Sequence, residues 1–296
     1  MRDFAGKTAV ITGAGSGMGR YLAVLLARAG ANVALCDVNE ATLADTATMV
    51  RTYNTGLSSH VVDMGDMQQI EALPDAVIKQ HGQVDLVFNN AGVTVATDFA
   101  EMSEADWDWV MNINLNGVVK SSRVFLPYLQ DRPEAALVNT SSIFGMIAVA
   151  GQSVYHTTKF GVRGFSESLA KELKGSGVQV HCVHPGHIGT NILANSRLNE
   201  TPGSNLFGSM SKDQMIEFFR NQGMHPSRAA RIILDGVRRR KRRIFIGNDA
   251  RLIDLVQRLT PMHYDRLLPL INLPMLLLRN KRPLKDLPNE PASQSD

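Results

Sequence analysis

Short apolar runs recur along the chain, each separated from the next by a longer stretch with helical spacing. Lys7 to Thr12, Asn32 to Cys36, Ser59 to Val62 and Val84 to Phe88 are followed by Ala136 to Thr140, Val178 to Val183 and Arg243 to Gly247. Runs this short read as strands, and Lys7 to Thr12 (KTAVIT) as a buried one. The stretch Tyr21 to Arg28 (YLAVLLAR) is helical by length and composition. Repeated strand–helix alternation predicts an α/β fold: a doubly wound parallel sheet of about seven strands with helices on both faces, followed by a C-terminal helical extension.

The pattern changes twice near the C-terminus. Residues 191–223 hold Thr201-Pro-Gly-Ser204 and a helical stretch from Lys212 to Gln222 with several Met and Phe residues, which predicts a lid over an apolar pocket. Leu267 to Leu278 is strongly apolar but broken by Pro269 and Pro274, and Arg266, Arg279, Lys281 and Arg282 flank it. It is short and kinked for a membrane span. Packing onto the domain or onto a second copy is the expected role, with peripheral membrane contact as the alternative. The expected organisation is a nucleotide-binding and catalytic domain over 1–250, an apolar and basic extension over 251–288, and a disordered tail over 289–296.

Composition changes this picture little. A hydrophobic content of 44% with 20% charged residues fits a globular chain whose core needs no staples. A net charge of +3 gives no reason to expect a nucleic-acid partner. The basic run Arg238 to Arg243 reads as a helix C-terminus leading into a charged edge strand. Cys36 and Cys182 fall on predicted strands and read as buried free thiols. Met1-Arg-Asp-Phe runs almost directly into the first strand, without the pattern of a signal peptide, so a cytoplasmic location is expected.

Candidate chemistry gathers in a few places. Gly13, Gly15, Ser16, Gly17, Met18 and Gly19 form a glycine-rich turn between the first strand and its helix. There the backbone can approach a ligand closely, and the helix N-terminus offers N–H groups to a pyrophosphate. Asp37 at the tip of the second strand can accept from both ribose hydroxyls and would repel a 2′-phosphate, which favours NAD over NADP. Its competing role is a cap before Asn39-Glu40. Asp63 is placed to accept from an adenine amino group, unless it or Asp66 caps the next helix. Asn90, Ala91 and Gly92 supply small residues beside the cofactor. Tyr155 and Lys159, at i and i+4, share a helix face, so the ammonium can stabilise a phenolate and bring its pKa toward neutrality. No metal-ligating cluster is expected.

In the order and spacing of Thr12-Gly-Ala-Gly-Ser-Gly-Met-Gly19, Asn89-Asn-Ala-Gly92, Asn114-Leu-Asn-Gly117, Ser142, Tyr155-x-x-x-Lys159 and Pro185-Gly186 with Thr190, the chain resembles a short-chain dehydrogenase/reductase of the classical type. The resemblance covers the chain from residue 3 to about residue 250 and implies a Rossmann-type fold. It further implies Tyr155 as acid/base, Lys159 as its modulator and ribose ligand, Ser142 on the substrate oxygen and Asn114 in a proton relay. Asn112 and Asn116 are neighbouring decoys. Pro185, Gly186, Ile188 and Thr190 would meet the nicotinamide carboxamide. Phe144 and Val149, with Val93 and Val95, are candidate pocket residues, and the role of His156 is open. The expected activity is NAD-dependent interconversion of a secondary alcohol and a ketone or aldehyde on a hydrophobic substrate such as a steroid, retinoid or lipid. Small polyols, sugars or hydroxy acids are the alternative substrates, and an NAD(H)-binding sensor the non-enzymatic one. The resemblance also implies a homodimer or homotetramer through the helices around 114–129 and 155–173.

Overall fold

The computed structural model of the chain describes Met1, residues 3–189, Ile192, residues 196–198, Gln214, Glu217, residues 223–267, residues 282–284 and Leu287. Among these residues nine strands form: β1 (Thr8–Thr12), β2 (Asn32–Asp37), β3 (Leu57–Val61), β4 (Leu86–Asn89), β5 (Val95–Ala96), β6 (Ala135–Thr140), β7 (Val178–Pro185), β8 (Arg197–Leu198) and β9 (Arg243–Ile246). Seven of them form one parallel sheet in the order β3-β2-β1-β4-β6-β7-β9, and β5 pairs with β8 alone. The seven strands of the main sheet are those expected from the apolar runs.

Among the described residues, eight α-helices surround the sheet: α1 (Gly17–Arg28), α2 (Glu40–Arg51), α3 (Met67–His81), α4 (Glu104–Met111), α5 (Gly117–Gln130), α6 (Ser153–Glu172), α7 (Pro226–Arg238) and α8 (Asn248–Leu259). The register explains how two layers form. Ile11 lies beside Leu35 and Phe88, and this row packs with α1, α2 and α7. Val10 lies beside Ala34 and Val87, and that row packs with α3, α5 and α6. Side chains alternate faces along a strand, so a run apolar at every position buries both.

After β3 the chain crosses to β4 on the other side of β1. The carboxyl ends of β1 and β4 therefore diverge into a crevice, where open α/β sheets bind ligands.

The basic run behaves as expected. Helix α7 ends at Arg238, the chain turns through Arg240 at φ 52°, and Arg243 opens the edge strand β9. Arg240 pairs with Glu134 at 2.6 Å and Arg243 with Asp254 at 3.0 Å. A basic cavity of about 350 Å³ lies beside it, lined by Arg239, Lys241 and Arg251 among others; it is at the starting end of β9, away from the crevice. Cys36 and Cys182 are buried free thiols on β2 and β7, with three strands between them.

The boundary expected at residue 250 falls inside α8, whose Ile253 is buried and whose Asp254 pairs with Arg243 of the sheet. Most of the expected lid, the stretch 268–281 and the tail 289–296 lie outside the described residues. Among the described residues, no helix is long and apolar enough to cross a membrane.

Candidate active site

The turn after β1 is built around glycine. Gly13 and Gly17 have positive φ, and a Cβ on Gly19 would lie 2.0 Å from the Gly13 carbonyl oxygen. Only glycine lets the first turn of α1 close this tightly on the strand. Ser16 precedes α1 without a side-chain cap, so capping does not consume the first-turn N–H groups. A groove of about 190 Å³ runs from Gly13, Ser16, Gly17 and Met18 past Asp37 and Asp63 to Asn90, Ala91, Gly92 and Val93. These residues come from the carboxyl ends of β1 to β4, and Ile192 adds to the same lining.

The two aspartates resolve their competing roles. Asn39 caps α2, accepting from the Thr42 N–H, while Asp37 accepts from the Gly15 N–H at 2.8 Å and the Asn39 N–H at 3.0 Å. A carboxylate has about four acceptor positions, so Asp37 keeps capacity toward the groove. Asp66 caps α3, and Asp63 accepts from the Gly65 N–H at 2.7 Å while lining the groove. Arg20, a cation near the turn, is turned inward: it donates to the Gly15 carbonyl and to Thr46 and is 7% exposed. The groove thus fits a dinucleotide, with narrow glycine backbone at one end and an acidic strand tip beside it.

The second half of the site is held by α6 and the helix before it. Between α4 and α5 the chain makes a π-helical segment, Asn112–Asn116. Such segments are rare and concentrate at functional sites. Asn114 is fully buried there; its Oδ1 accepts from the Val93 N–H and its Nδ2 donates to the Val93 carbonyl, both at 2.8 Å. Asn116 instead donates to Asn112 on the exposed side. Of the three asparagines, Asn114 is thus the fully buried one that is bonded to the Val93 backbone.

Lys159 is 3% exposed, donates to the Thr140 carbonyl at 3.0 Å and lies 5.4 Å from the centre of the Tyr155 ring. A Cβ on Gly92 would lie 3.4 Å from the Lys159 Nζ and 3.3 Å from the Asn114 Oδ1. The groove and the polar cluster are thus one continuous site.

Ser142 and Ser141 separate cleanly. Ser141 donates to the Lys159 carbonyl at 2.8 Å, whereas Ser142 accepts from the Phe144 N–H and hydrogen-bonds the Tyr155 side chain. The electrostatics differ from the sequence expectation. Burial pushes the Tyr155 phenol up to about 12, with the Ser142 hydrogen bond opposing it. Burial also brings the Lys159 ammonium down to about 8, opposed by the charge of Cys182. Desolvation, not the neighbouring cation, dominates the phenol here.

Phe144 packs edge-on against Tyr155 with ring centres 6.2 Å apart. Val93 borders the groove, whereas Val95 is fully buried and packed with Val110 and Val154. Pro185 ends β7; Gly186 donates to the Ile246 carbonyl, and Ile188 is 7% exposed and bridged to Met224. Thr190 lies outside the described residues.

Two residues that the sequence reading passed over also act on this site. Asp249, in the first turn of α8, accepts from the His187 N–H at 3.0 Å and fills the space beside Gly186. Its signal was legible as an acid opening a helix just after a strand and a glycine. Tyr264 accepts from the Ala148 N–H at 3.0 Å, and no local pattern marks it.

A family model described as short chain dehydrogenase matches residues 7–201. This chain belongs to the short-chain dehydrogenase/reductase family. A Mycobacterium tuberculosis (strain H37Rv) protein named as an oxidoreductase, SadH, is 36% identical over 271 residues, which is 90% of this chain and 95% of that protein. The 3beta-hydroxysteroid dehydrogenase 2 of Eggerthella lenta is 33% identical over 190 residues, 64% of this chain and 73% of that enzyme. A Burkholderia phymatum short-chain dehydrogenase/reductase solved with NAD superposes with a TM-score of 0.79 at 28% identity, covering 96% of this chain and all of that one. A metagenomic short-chain oxidoreductase solved with NADP has a TM-score of 0.66 at 24% identity over 82% of this chain and 97% of that one, a likeness of fold. The chain is thus an oxidoreductase of this family, and its structural neighbours bind NAD or NADP.

Proposed function

We propose that the protein is an NAD-dependent dehydrogenase or reductase that interconverts a hydrophobic secondary alcohol and the corresponding ketone. The observation that carries this reading is the convergence at one end of the groove: Ser142 bonded to Tyr155, and Lys159 and Asn114 packed against Gly92. A bound nicotinamide would supply the hydride chemistry. The glycine turn, Asp37, Asp63 and Asn90 to Gly92 would hold the dinucleotide, with Pro185, Gly186, Ile188 and Thr190 at its nicotinamide end.

In this reading Ser142 and Tyr155 together orient the substrate oxygen. Tyr155 gives its phenolic proton to that oxygen during reduction and takes it back during oxidation. Lys159 holds positive charge below the ring face, and Asn114 shapes the backbone at Val93 from which a proton path would start. Burial holds the phenol protonated at neutral pH, so Tyr155 carries the proton that reduction delivers to the substrate oxygen.

NAD is supported over NADP by the Asp37 carboxylate beside the groove and by the inward engagement of Arg20. An apolar substrate is supported by Phe144 against Tyr155, and by the hydroxysteroid activity in the name of the Eggerthella relative. The test is NADH turnover across paired alcohols and ketones, from steroids to small polyols, with Tyr155→Phe alongside. Tyr155→Phe should lose roughly 10²-fold or more in kcat, the usual worth of a positioned acid, while still binding NADH. A fully active variant refutes the acid/base role, and turnover of polyols alone refutes the apolar pocket.

We further propose a homo-oligomer built on the outer faces of α5 and α6, where Phe160 is 41% exposed. A single-chain mass by light scattering would reject it. Peripheral membrane contact has the exposed Leu255, Leu259 and Met262 as its support, with Arg258 and Arg266 beside them. Absence of co-sedimentation with anionic liposomes would reject that.

A further inference from the structure

The segment between Ser142 and Tyr155 carries Phe144, the ring that faces the phenol. The loop is buried at Gly145 to Ile147, half-buried at Phe144 and Val149 and exposed at Ala148, and its backbone N–H groups can be accounted for one by one. The amides of Phe144, Gly145, Met146 and Ile147 are satisfied locally, by the Ser142 hydroxyl, the Ser142 carbonyl and the Ile143 carbonyl. The next two amides leave that tight turn and are satisfied from elsewhere. Ala148 donates to the Tyr264 hydroxyl at 3.0 Å, and Val149 donates to the His156 Nε2 at 3.0 Å.

His156 uses its other nitrogen on the same loop. Nδ1 lies 2.9 Å from the Phe144 carbonyl. Because the Val149 N–H must donate to Nε2, the proton sits on Nδ1, and the neutral ring spans the loop from Phe144 to Val149 as one donor and one acceptor. The ring also packs on Phe144, with centres 4.9 Å apart. Arg163 adds a bond to the Gly145 carbonyl at 3.2 Å.

We propose that His156 and Tyr264 are positioning residues that fix the Phe144–Val149 wall of the substrate site. Through Tyr264, the segment after α8 sets which substrates reach Tyr155. His156 follows Tyr155 directly in α6, so the acid/base and the clamp on its facing wall move as one rigid body. Tyr264 comes from a segment 116 residues away in sequence from the amide it holds. Its hydroxyl makes the C-terminal segment part of the pocket's frame without itself touching the reacting atoms. This inference rests on the dehydrogenase reading only for its claim about specificity; the clamp is a statement about the loop alone.

The experiment uses the full-length protein with Tyr264→Phe, His156→Phe and His156→Gln. Residue-resolved amide hydrogen exchange reads the clamp without any turnover. Losing one hydrogen bond of ordinary strength should speed exchange roughly fivefold, at Ala148 in Tyr264→Phe and at Val149 in His156→Phe. Glutamine keeps one donor and one acceptor, so His156→Gln should recover part of the protection. Steady-state kinetics on one bulky and one small alcohol read the consequence. Tyr264→Phe should change the ratio of their kcat/KM values by roughly threefold or more, chiefly through KM for the bulky substrate, with KM for NAD unaltered.

Unchanged exchange in both phenylalanine variants overturns the clamp. Faster exchange with an unchanged substrate ratio overturns the specificity role and leaves the clamp as a structural device. A wild-type protein that turns over no alcohol or ketone fails the dehydrogenase reading and the specificity role with it, while the exchange data still decide the clamp.

Discussion

Asp37 shows how a single side chain serves fold and ligand together. Its carboxylate accepts from the Gly15 and Asn39 N–H groups, which fixes the glycine turn against the tip of β2. The same charge borders the groove, where it would face a 2′-phosphate. The two contributions can be separated. Asp37→Asn keeps an oxygen to accept from the Gly15 N–H but removes the charge. It should improve kcat/KM for NADP by roughly tenfold or more, the scale on which one like-charge contact governs discrimination, and lower that for NAD less. Parallel assays with the two cofactors check this, and an unchanged NADP value would mean that Asp37 does not face the ribose. Asp37 was legible in the sequence because strand tips in this fold occupy a known place relative to the glycine turn. The state of Tyr155 was not legible. The i, i+4 spacing shows that a cation is near, but not that both groups are buried, and burial is what pushes the phenol to about 12 and the ammonium to about 8.

At the scale of elements, the inner strands β1, β4 and β6 were readable because burial on both faces leaves an unbroken apolar run, whereas the edge strand β3, Leu-Ser-Ser-His-Val, is only partly buried and was placed by the strand–helix alternation. Helix α4, the π-helical segment and the β5–β8 pair were not. A π turn leaves no distinctive hydrophobic period, and a two-residue pair such as Val95–Ala96 with Arg197–Leu198 leaves no period at all. Asn114 was legible only through the family's Asn-Leu-x-Gly frame, yet its structural role is specific. It replaces a strand partner for Val93, satisfying both backbone groups of that residue at 2.8 Å. Asn114→Ala would leave both without a partner in a closed part of the site. The expected loss is about 1–3 kcal/mol of stability by urea denaturation, from desolvated groups left unpaired. A loss confined to turnover, with the urea midpoint unchanged, would show that water replaces the side chain there.

At the scale of the whole molecule, a pH dependence of stability is expected that no single motif reveals, and its largest contributors are two histidines on one buried strand. His181 and His184 of β7 are 1% and 0% exposed. His181 meets the Lys241 carbonyl at 2.7 Å and His184 the Ser142 carbonyl at 3.3 Å. Burial lowers each to about 4 despite these bonds. A histidine with a folded pKa below its unfolded value gains a proton more readily when the chain unfolds. Its contribution is therefore present above pH 6.5 and is lost as the pH falls toward 4. A shift of this size is worth about 3 kcal/mol per residue, so the pair could remove about 6 of the 5–15 kcal/mol typical of a folded domain. Glu134 and Asp106, whose carboxyls are lowered by their hydrogen-bond partners, act in the same direction but only at lower pH. Asp254, raised by burial, acts weakly against it. Urea midpoints should thus be steady from pH 7.5 to 6.5 and fall steeply between pH 6 and 4.5. His181→Gln with His184→Gln should flatten that fall even if the variant starts less stable at neutral pH. A wild-type midpoint that holds level to pH 4.5 would show that β7 tolerates both charges. A fall that survives the double substitution would place the acid sensitivity in His60, His81 and His156, which burial also lowers, or in the carboxylates.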